Sequence, residues 1–382
     1  MNDESTTMRE LFVSRLADQG SLKDPFLRTA FREVPRHTFL PRFFIQETDG
    51  RWRAIDSSHP QYLPLVYADT TLTTQVNGDT DPDPAAEPIA GDGTSSSTQP
   101  SLMAYMLDAL GLAGSDQVLE IGTGTGYNAA LLSHRLDEEL VTTIEVDPHV
   151  AELARDRLKA CGYAPTVEVA DGATGWQGGA PYDHVIATVS FPFVPRAWID
   201  QTRNGGAIVT SLWRDLGGGP LVRLTVNDGV AEGRFLTMAG GFMPTRGVAR
   251  TEESLATALR QTGQSRDARV GSTVLHEASA GLWIALLVPN ATWIGFTPEG
   301  EADQLWLFSS DGSWSCLEDD AMKVEQYGTR RVWDEIEAAH QSWLDAGSPS
   351  RERVGLTVTR EGMHRFWLDD PDHVLWTSRA PH

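Results

Sequence analysis

A glycine-rich turn in the middle of the chain is the pattern best suited to chemistry. Residues 117–121 read as a buried strand, and Gly122-Thr123-Gly124-Thr125-Gly126 follows directly, before a helix over residues 127–135. Glycines let a backbone approach a nucleotide-like ligand because they carry no Cβ. A dinucleotide site would show GxGxxG, whereas this turn reads GxGxG after Glu120, a carboxylate that repels phosphate and can lie near an ammonium. The pattern favours an S-adenosyl-L-methionine (AdoMet) site over an ordinary strand-to-helix turn.

Two further carboxylates lie at the ends of the next predicted strands. Glu145 ends the second strand, about twenty residues past the glycines, where a carboxylate accepts hydrogen bonds from ribose hydroxyls. Asp171 ends the third strand, before Gly172, and is suited to accept from an adenine amino group. Either residue alone could be a solvated loop carboxylate. Three strand-end features in this order indicate one AdoMet site.

A run of hydroxyl side chains, Ser95-Ser96-Ser97-Thr98, precedes Gln99 and Pro100. Pro100 suits the first turn of a helix, and residues 101–110 carry an apolar helical stripe. The hydroxyls are therefore expected at a helix N-terminus, which attracts anions such as a substrate carboxylate. The alternative is an ordinary N-cap in a serine-rich linker.

Strands and helices alternate around these motifs. Strands are predicted over residues 117–121, 141–145, 166–170, 183–189 and 207–212, with helices over 127–135 and 149–160 and near 195–202. Strands 221–226 and 230–236 flank a hairpin turn at Asn227-Asp228-Gly229. This order predicts an α/β, Rossmann-like fold, with a mostly parallel sheet and helices on both faces.

The regions before and after these motifs differ from them in composition and in their predicted elements. Residues 77–94 contain almost nothing to bury and are predicted to be a flexible insertion; Pro84 and Ala90 stand where a calcium loop needs Gly and Glu. After about residue 246 short strands are predicted over residues 282–288, 305–309, 313–317, 355–359 and 364–368, with a helix over 331–346. We therefore predict domains at 1–247 and 248–382, the second of the α+β class. Its many tryptophans are interpreted as core rather than binding surface.

Composition narrows the function classes for a chain of 382 residues. A net charge of −22 argues against nucleic acid or an anionic membrane as a partner. Two cysteines, a start without an apolar core and no apolar run long enough to span a bilayer predict a cytoplasmic protein. The histidines form no HExxH pattern, so no metal site is expected.

These motifs together resemble the protein L-isoaspartate (D-aspartate) O-methyltransferase family over residues 8 to 247. The matching stretches are 34–41 (VPRHTFLP), 96–100 (SSTQP), 118–127, 143–145, 171–176 and 180–186. The resemblance implies AdoMet as cofactor, S-adenosyl-L-homocysteine as product, and a peptide carboxylate as substrate. It implies catalytic roles for Thr98 and Ser97. It implies cofactor contacts at Ser96, Gln99, Glu120, Gly122, Thr123, Gly124, Gly126, Glu145, Val146, Asp171 and Gly172.

Three departures from the family pattern refine this expectation. Thr98 stands where the family has its catalytic serine, residues 77–94 replace a shorter connection, and the chain continues past residue 247. The combination resembles homologues associated with ribosomally made, post-translationally modified peptides (graspetides, lanthipeptides and lasso peptides). Those enzymes esterify an ordinary aspartate, whose ester can close to an aspartimide, and the C-terminal domain is then expected to recognise a modified precursor peptide.

Three other functions stay open. Repair of isoaspartyl proteins is the nearest, although the insertion and the C-terminal domain are not expected of a repair enzyme. A small-molecule O-methyltransferase would leave the hydroxyl segment without a purpose. A catalytically silent AdoMet- or peptide-binding protein, in which the tryptophan-rich domain does the work, is the third; against it, all the cofactor-contact residue types are present.

Overall fold

The chain divides into two compact units, which do not follow a single boundary in the sequence. The computed structural model describes residues 2–213, 215–217, 219–243, 255, 257–296 and 303–379. The first unit comprises Met1–Val189, Val194–Thr210 and Arg223–Ala231, and the second comprises Ser190–Phe193, Ser211–Val222 and Glu232–His382. The predicted boundary at 247 and 248 lies outside the described residues. The division differs from the predicted one because parts of four strands before residue 247 belong to the second unit: the ends of two, the start of a third and most of a fourth.

The first unit begins with helices and a small antiparallel sheet. Helix α1 is Asn2–Asp18 and α2 is Pro25–Glu33, where Asp24 accepts a hydrogen bond from Phe26 N and so caps the helix. A 3-10 turn follows at Arg36–Phe39. The next elements are β1 Arg42–Gln46, β2 Trp52–Asp56, α3 Tyr62–Val66, β3 Leu72–Val76 and β4 Gly93–Ser97. The sheet order is β2-β1-β3-β4.

The predicted flexible insertion at 77–94 is shorter than expected and is held at several points. Its last residues already belong to β4, because they pair with β3. Trp52 on β2 exchanges two backbone hydrogen bonds with Ile89, of 2.8 and 2.9 Å, and its indole nitrogen donates to Gly91 O. Asn77, with a φ of 52°, donates through its side chain to Ala90 O. Backbone and side-chain polar groups therefore replace the apolar contacts that the segment lacks.

The first unit is built around a mostly parallel sheet, as predicted. Its elements are α4 Pro100–Leu110, β5 Val118–Ile121, α5 Tyr127–Arg135, β6 Val141–Glu145, α6 Pro148–Ala160, β7 Thr166–Val169, β8 Tyr182–Phe191, α7 Arg196–Asp200, β9 Thr202–Leu212 and β10 Pro220–Asn227. The next strand, β11 Val230–Ala239, belongs to the second unit from Glu232 onward. The strand order β9-β8-β5-β6-β7 places β5 at the centre, parallel to β6 and β8. The Rossmann-like prediction is confirmed.

Burial explains why the central elements could be read from the sequence. Val118 and Leu119 on β5 are fully buried, and so are Ala129 to Leu132 on α5. A strand covered on both faces is a short apolar run, and its helix shows a broad apolar face. Strands β8 and β9 are longer than predicted, and β9 begins at Thr202 and includes Gly205-Gly206.

The second unit contains a five-stranded antiparallel sheet covered on one face by helices. Its elements are β12 Gln264–Asp267, α8 Thr273–His276, α9 Ala278–Leu287, β13 Ala291–Phe296, β14 Gln304–Ser309, β15 Trp314–Glu318, β16 Lys323–Tyr327, α10 Val332–Asp345, β17 Val354–Val358, β18 Met363–Leu368 and β19 Val374–Arg379. The order is β12-β16-β15-β14-β13, while β17, β18 and β19 continue from β11. Leu307, Leu317 and Trp333 lie in the core between this sheet and the helices.

One element of this unit was predicted wrongly. The run 282–288 was expected to be a strand, but it lies in α9. Residues Ala280 to Leu286 are all buried, so neither the period of a strand nor that of a helix is visible in the sequence. The interpretation of the tryptophans as core is confirmed for six of the eight, Trp283, Trp306, Trp314, Trp333, Trp343 and Trp367, which are buried. Across the described residues, no helix has both the length and the apolar character needed to cross a bilayer.

We expect Gly126→Ala to destabilise the protein more than Gly162→Ala, its matched control. Both glycines have positive φ, 87° and 83°, so the backbone strain is alike. A Cβ at Gly126 would lie 3.3 Å from Leu158 and 3.4 Å from Ala154, whereas at Gly162 it meets no described atom within 4 Å. Urea unfolding should show an additional loss of about 1–2 kcal/mol for Gly126→Ala. Equal losses of unfolding free energy in the two variants would show that α5 and α6 can move apart to accommodate the added Cβ without cost.

Candidate active site

The glycine turn leaves β5 at the carboxyl edge of the parallel sheet. Gly122 N and Thr123 N donate to Ile144 O at the end of β6, at 2.9 and 3.1 Å. Thr188 on β8 donates through its hydroxyl to Gly122 O at 2.7 Å, and a Cβ on Gly122 would lie 3.0 Å from that hydroxyl. Gly122, Gly124 and Gly126 all have positive φ. The turn is therefore fixed between its neighbouring strands. Because its glycines carry no side chain, no Cβ covers the backbone at these positions.

Glu120, predicted to contact the cofactor, lies beneath the glycine turn rather than at its surface. Its carboxylate is fully buried and accepts hydrogen bonds from Asn128 Nδ2 at 2.7 Å and Thr143 Oγ1 at 2.6 Å. The Thr143 hydroxyl also lies 2.7 Å from that of Thr123 in the glycine turn. Burial raises the pKa of Glu120 to about 7, against the opposing effect of the two hydrogen bonds. Glu120 thus supports the turn from beneath through Thr143.

Glu145 lies at the end of β6, where it was expected, and its carboxylate is half-buried. One oxygen accepts from Gly124 N at 3.0 Å, and the other accepts from Val146 N and Asp147 N at 3.0 and 3.2 Å. The side chain of Val146 is exposed. A carboxylate oxygen has more than one lone pair. The Glu145 oxygen that accepts from Gly124 N can therefore also accept a hydrogen bond from a ligand hydroxyl.

Asp171 and Gly172 follow β7 on the same edge of the sheet. Ala170 N donates to Glu145 O at 3.0 Å, which places the Asp171 turn beside Glu145. One oxygen of the exposed Asp171 carboxylate accepts from Ala173 N at 2.9 Å, while Gly172 O accepts from the indole of the fully buried Trp198 at 2.7 Å. The Asp171 carboxylate consequently lies at the surface, in a turn whose backbone is bonded to the buried Trp198.

The hydroxyl segment meets the glycine turn. Ser96 O lies 3.5 Å from where a Cβ on Gly124 would be, and Ser95 Oγ lies 3.9 Å from it. The two sequence motifs, separated by more than twenty residues, therefore lie against each other. A side chain at Gly124 would contact Ser96 O, so a glycine here leaves that space unfilled.

The start of helix α4 differs from the expectation. Gln99 is the N-cap residue but makes no side-chain cap. Asp69 instead accepts from Ser101 N at 2.8 Å, so a carboxylate of the protein already occupies this helix end. The Gln99 amide donates to Asp69 and to Ser101 Oγ, at 3.3 and 3.0 Å. A substrate carboxylate would thus meet the hydroxyl side chains of the segment rather than the first N–H groups of α4.

Arg36 holds the hydroxyl segment in place and was missed as a functional residue by sequence reasoning. Its guanidinium is fully buried, and burial lowers its pKa to about 10, so it stays charged at neutral pH. It donates to Ser97 Oγ at 3.3 Å and to Thr98 O at 3.2 Å. Its other hydrogen bonds go to the carbonyls of Val66, Ala68 and Thr70. The only signal in the sequence was its place in the stretch VPRHTFLP.

The two predicted catalytic residues consequently lie in different surroundings. Ser97 is 3% exposed, and its hydroxyl accepts from Arg36. Thr98 is half-buried, and within the part of the chain that the structure describes its hydroxyl makes no hydrogen bond. Ser96, also half-buried, lies between Ser95 and the buried Ser97 on β4. Of the two predicted catalytic residues, Thr98 has the hydroxyl that is free to meet a ligand.

The comparisons with known proteins agree with one another. The family model for protein-L-isoaspartate(D-aspartate) O-methyltransferase matches residues 66–215. A protein-L-isoaspartate O-methyltransferase of Picosynechococcus sp. is 35% identical over 208 residues, 54% of this chain and 77% of that protein. One of Ignicoccus hospitalis is 36% identical over 203 residues, 53% of this chain and 79% of that protein.

A solved structure named protein-L-isoaspartate O-methyltransferase is 25% identical, with a TM-score of 0.55. The match covers 95% of this chain and 100% of that chain, so it extends into the second unit. The expectation that such proteins end near residue 247 is wrong for this structure. A C-terminal region therefore does not by itself indicate a different activity.

We expect the stability contributed by Glu120 to fall as the pH rises. Its folded pKa of about 7 lies above the ordinary value of 4.5, so the native state binds the proton more tightly. That contribution is complete below pH 4.5 and is lost as the pH rises towards 7. Glu120→Gln cannot titrate at this position. The free energy of unfolding of the wild type, measured in urea relative to that of the variant, should therefore be lower at pH 8 than at pH 5. The exposed Glu152→Gln on α6 is the control; an unchanged difference between wild type and Glu120→Gln would contradict the assignment.

We expect Arg36→Met to cost far more stability than Arg28→Met. The first substitution removes five hydrogen bonds and leaves four backbone carbonyls without this donor. The second removes the hydrogen bond from Arg28 Nε to Leu22 O at 2.9 Å. Urea unfolding should show a loss of about 3 kcal/mol or more for Arg36→Met and about 1 kcal/mol for the control. Similar losses would mean that the segment is held by other contacts.

Proposed function

The chain belongs to the protein-L-isoaspartate(D-aspartate) O-methyltransferase family of AdoMet-dependent carboxyl methyltransferases, and we propose that it methylates the free carboxylate of an isoaspartyl residue in a peptide. The observation that carries the proposal is the meeting of the hydroxyl segment with the glycine turn at Gly124. A cofactor placed along the turn, with its ribose at Glu145 and its base near Asp171, would have its reactive end beside Ser96 and Thr98.

The reaction needs orientation more than proton transfer. AdoMet supplies an electrophilic methyl group on a sulfonium, which leaves as neutral S-adenosyl-L-homocysteine when a carboxylate oxygen forms the new O–C bond. A carboxylate is already ionised at neutral pH, so no general base is required. The Thr98 hydroxyl would hold one substrate oxygen and leave the other free to attack, and the close packing of 95–98 against the turn would limit water.

The ester formed in this way has a further fate that the protein need not catalyse. The next backbone nitrogen of the peptide can attack the ester carbonyl, form a C–N bond and expel methanol, which closes a succinimide. Hydrolysis of the succinimide then yields aspartyl and isoaspartyl products.

A second candidate function is esterification of an ordinary aspartate in a ribosomally made, modified precursor peptide. Thr98 in place of the family serine favours it, because the added methyl group narrows the space beside the attacking carboxylate and changes which substrates fit. The segment 77–92 is a second difference from the family pattern. The second unit would then recognise the modified peptide.

One assay separates the two candidates. The purified protein is incubated with AdoMet and, in parallel, an isoaspartyl peptide, the same peptide with ordinary aspartate, and a modified precursor peptide encoded beside its gene. We expect a mass gain of one methylene group on the isoaspartyl peptide, followed by loss of methanol. Methylation of the precursor peptide alone would establish the second candidate. Tight AdoMet binding without turnover on any of them would contradict both.

We expect Thr98→Val to lower kcat/KM for methyl transfer about 10- to 100-fold, as loss of a hydrogen bond to a charged group predicts. Thr98→Ser, which keeps the hydroxyl, should retain most of the activity. Thr29→Val, which removes an exposed hydroxyl on α2, is the matched control. Wild-type activity in Thr98→Val would exclude the hydroxyl from carboxylate binding.

A further inference from the structure

The segment 77–92 reaches the start of helix α6, beside the turn that contains Glu145. The Thr80 hydroxyl lies 2.9 Å from His149 Nε2 in the first turn of α6. Arg42 on β1 pairs with Asp81 in the same segment. The segment is therefore attached at one side to the small antiparallel sheet and at the other to α6.

Gln75 lies at the base of this segment and joins three parts of the first unit. Its side chain is 1% exposed. Its amide oxygen accepts from Thr94 Oγ1 at 2.7 Å on β4, and its amide nitrogen donates to Gly78 O at 3.4 Å and to Asp147 Oδ2 at 3.2 Å. A buried amide with both ends engaged fixes its neighbours, because breaking any one contact leaves a polar group unpaired.

Asp147 connects Gln75 to the turn that contains Glu145. Its second oxygen accepts from His149 N at 3.0 Å and Val150 N at 3.3 Å, and so caps α6. Its backbone N–H donates to the carboxylate of Glu145, which also accepts from Gly124 N. Gln75, Asp147 and Glu145 thus form a continuous chain of hydrogen bonds from the segment 77–92 to the glycine turn.

We propose that Gln75 is a positioning residue for cofactor binding, through which the segment 77–92 braces the turn 145–147 and sets the Glu145 carboxylate. The inference rests on the proposed function, since it takes Glu145 as the residue that meets the cofactor. Gln75 itself touches neither the cofactor nor the substrate. Without this brace, the turn would be free to change its conformation, and a ligand would have to order it on binding.

The test exchanges donor and acceptor. Gln75→Glu keeps the shape and can still accept from Thr94, but it sets one carboxylate against that of Asp147. In the double variant Gln75→Glu/Asp147→Asn the hydrogen bond can form in the reverse direction, and the asparagine side chain can still cap α6 through its amide oxygen. Gln46→Glu on β1 adds the same charge to the same sheet at an exposed position and is the control.

Two readouts are taken on the full chain. The dissociation constant of S-adenosyl-L-homocysteine is measured by calorimetry, and amide hydrogen exchange over residues 146–150 is measured in the ligand-free protein. We expect Gln75→Glu to weaken binding about tenfold and to speed exchange, the double variant to restore both within about threefold, and Gln46→Glu to change neither.

The outcomes separate this inference from the proposed function. Unchanged binding in Gln75→Glu would overturn the positioning role, and so would weakened binding that the double variant does not restore. If the wild type does not bind S-adenosyl-L-homocysteine, the proposed function fails, and the exchange rates alone decide whether Gln75 braces the turn. Unchanged exchange in Gln75→Glu would overturn the brace itself.

Discussion

The Arg36 guanidinium lies where solvent does not reach it, and its charge is tolerated there because main-chain carbonyls and one serine hydroxyl surround it. A buried cation without such partners would be too costly to keep charged. The hydrogen bonds of its two terminal nitrogens require the chain at Val66–Thr70 and at Ser97–Thr98 to converge on one point. The hydroxyl segment is therefore fixed by its backbone and by Ser97, which leaves the Thr98 hydroxyl available. Under the proposed function, the position of the substrate carboxylate would depend on this single cation.

Two carboxylates on neighbouring strands have different structural roles because their surroundings differ. Glu120 is buried beneath the glycine turn, where Asn128 and Thr143 satisfy it and desolvation raises its pKa to about 7. Glu145 is half-buried and organises the turn through Gly124 N and the two N–H groups that follow it. One carboxylate is buried beneath the turn, and the other lies beside it and is half-buried, so only Glu145 is exposed enough to meet the cofactor that we propose.

The features that the sequence predicted well are those set by local periodicity and by glycine. The strand, turn and helix around residues 118–135 follow from buried apolar runs and from positions that need positive φ. The features it missed depend on distant partners. The hydrogen bonds of Arg36 join residues as far as 62 positions apart, and those of Gln75 reach Asp147. The run 282–288 was misread because a helix buried on all sides has no polar face to reveal its period.

The central claim is that the cofactor and the peptide carboxylate meet where the segment 95–98 approaches Gly124. A crystal structure of the protein with S-adenosyl-L-homocysteine and an isoaspartyl peptide tests this claim most directly. We expect ribose hydroxyls on Glu145, the sulfur beside Gly124, and the peptide carboxylate within hydrogen-bonding distance of Thr98 Oγ1. A carboxylate bound away from Thr98, or a homocysteine moiety lying away from the glycine turn, would contradict it.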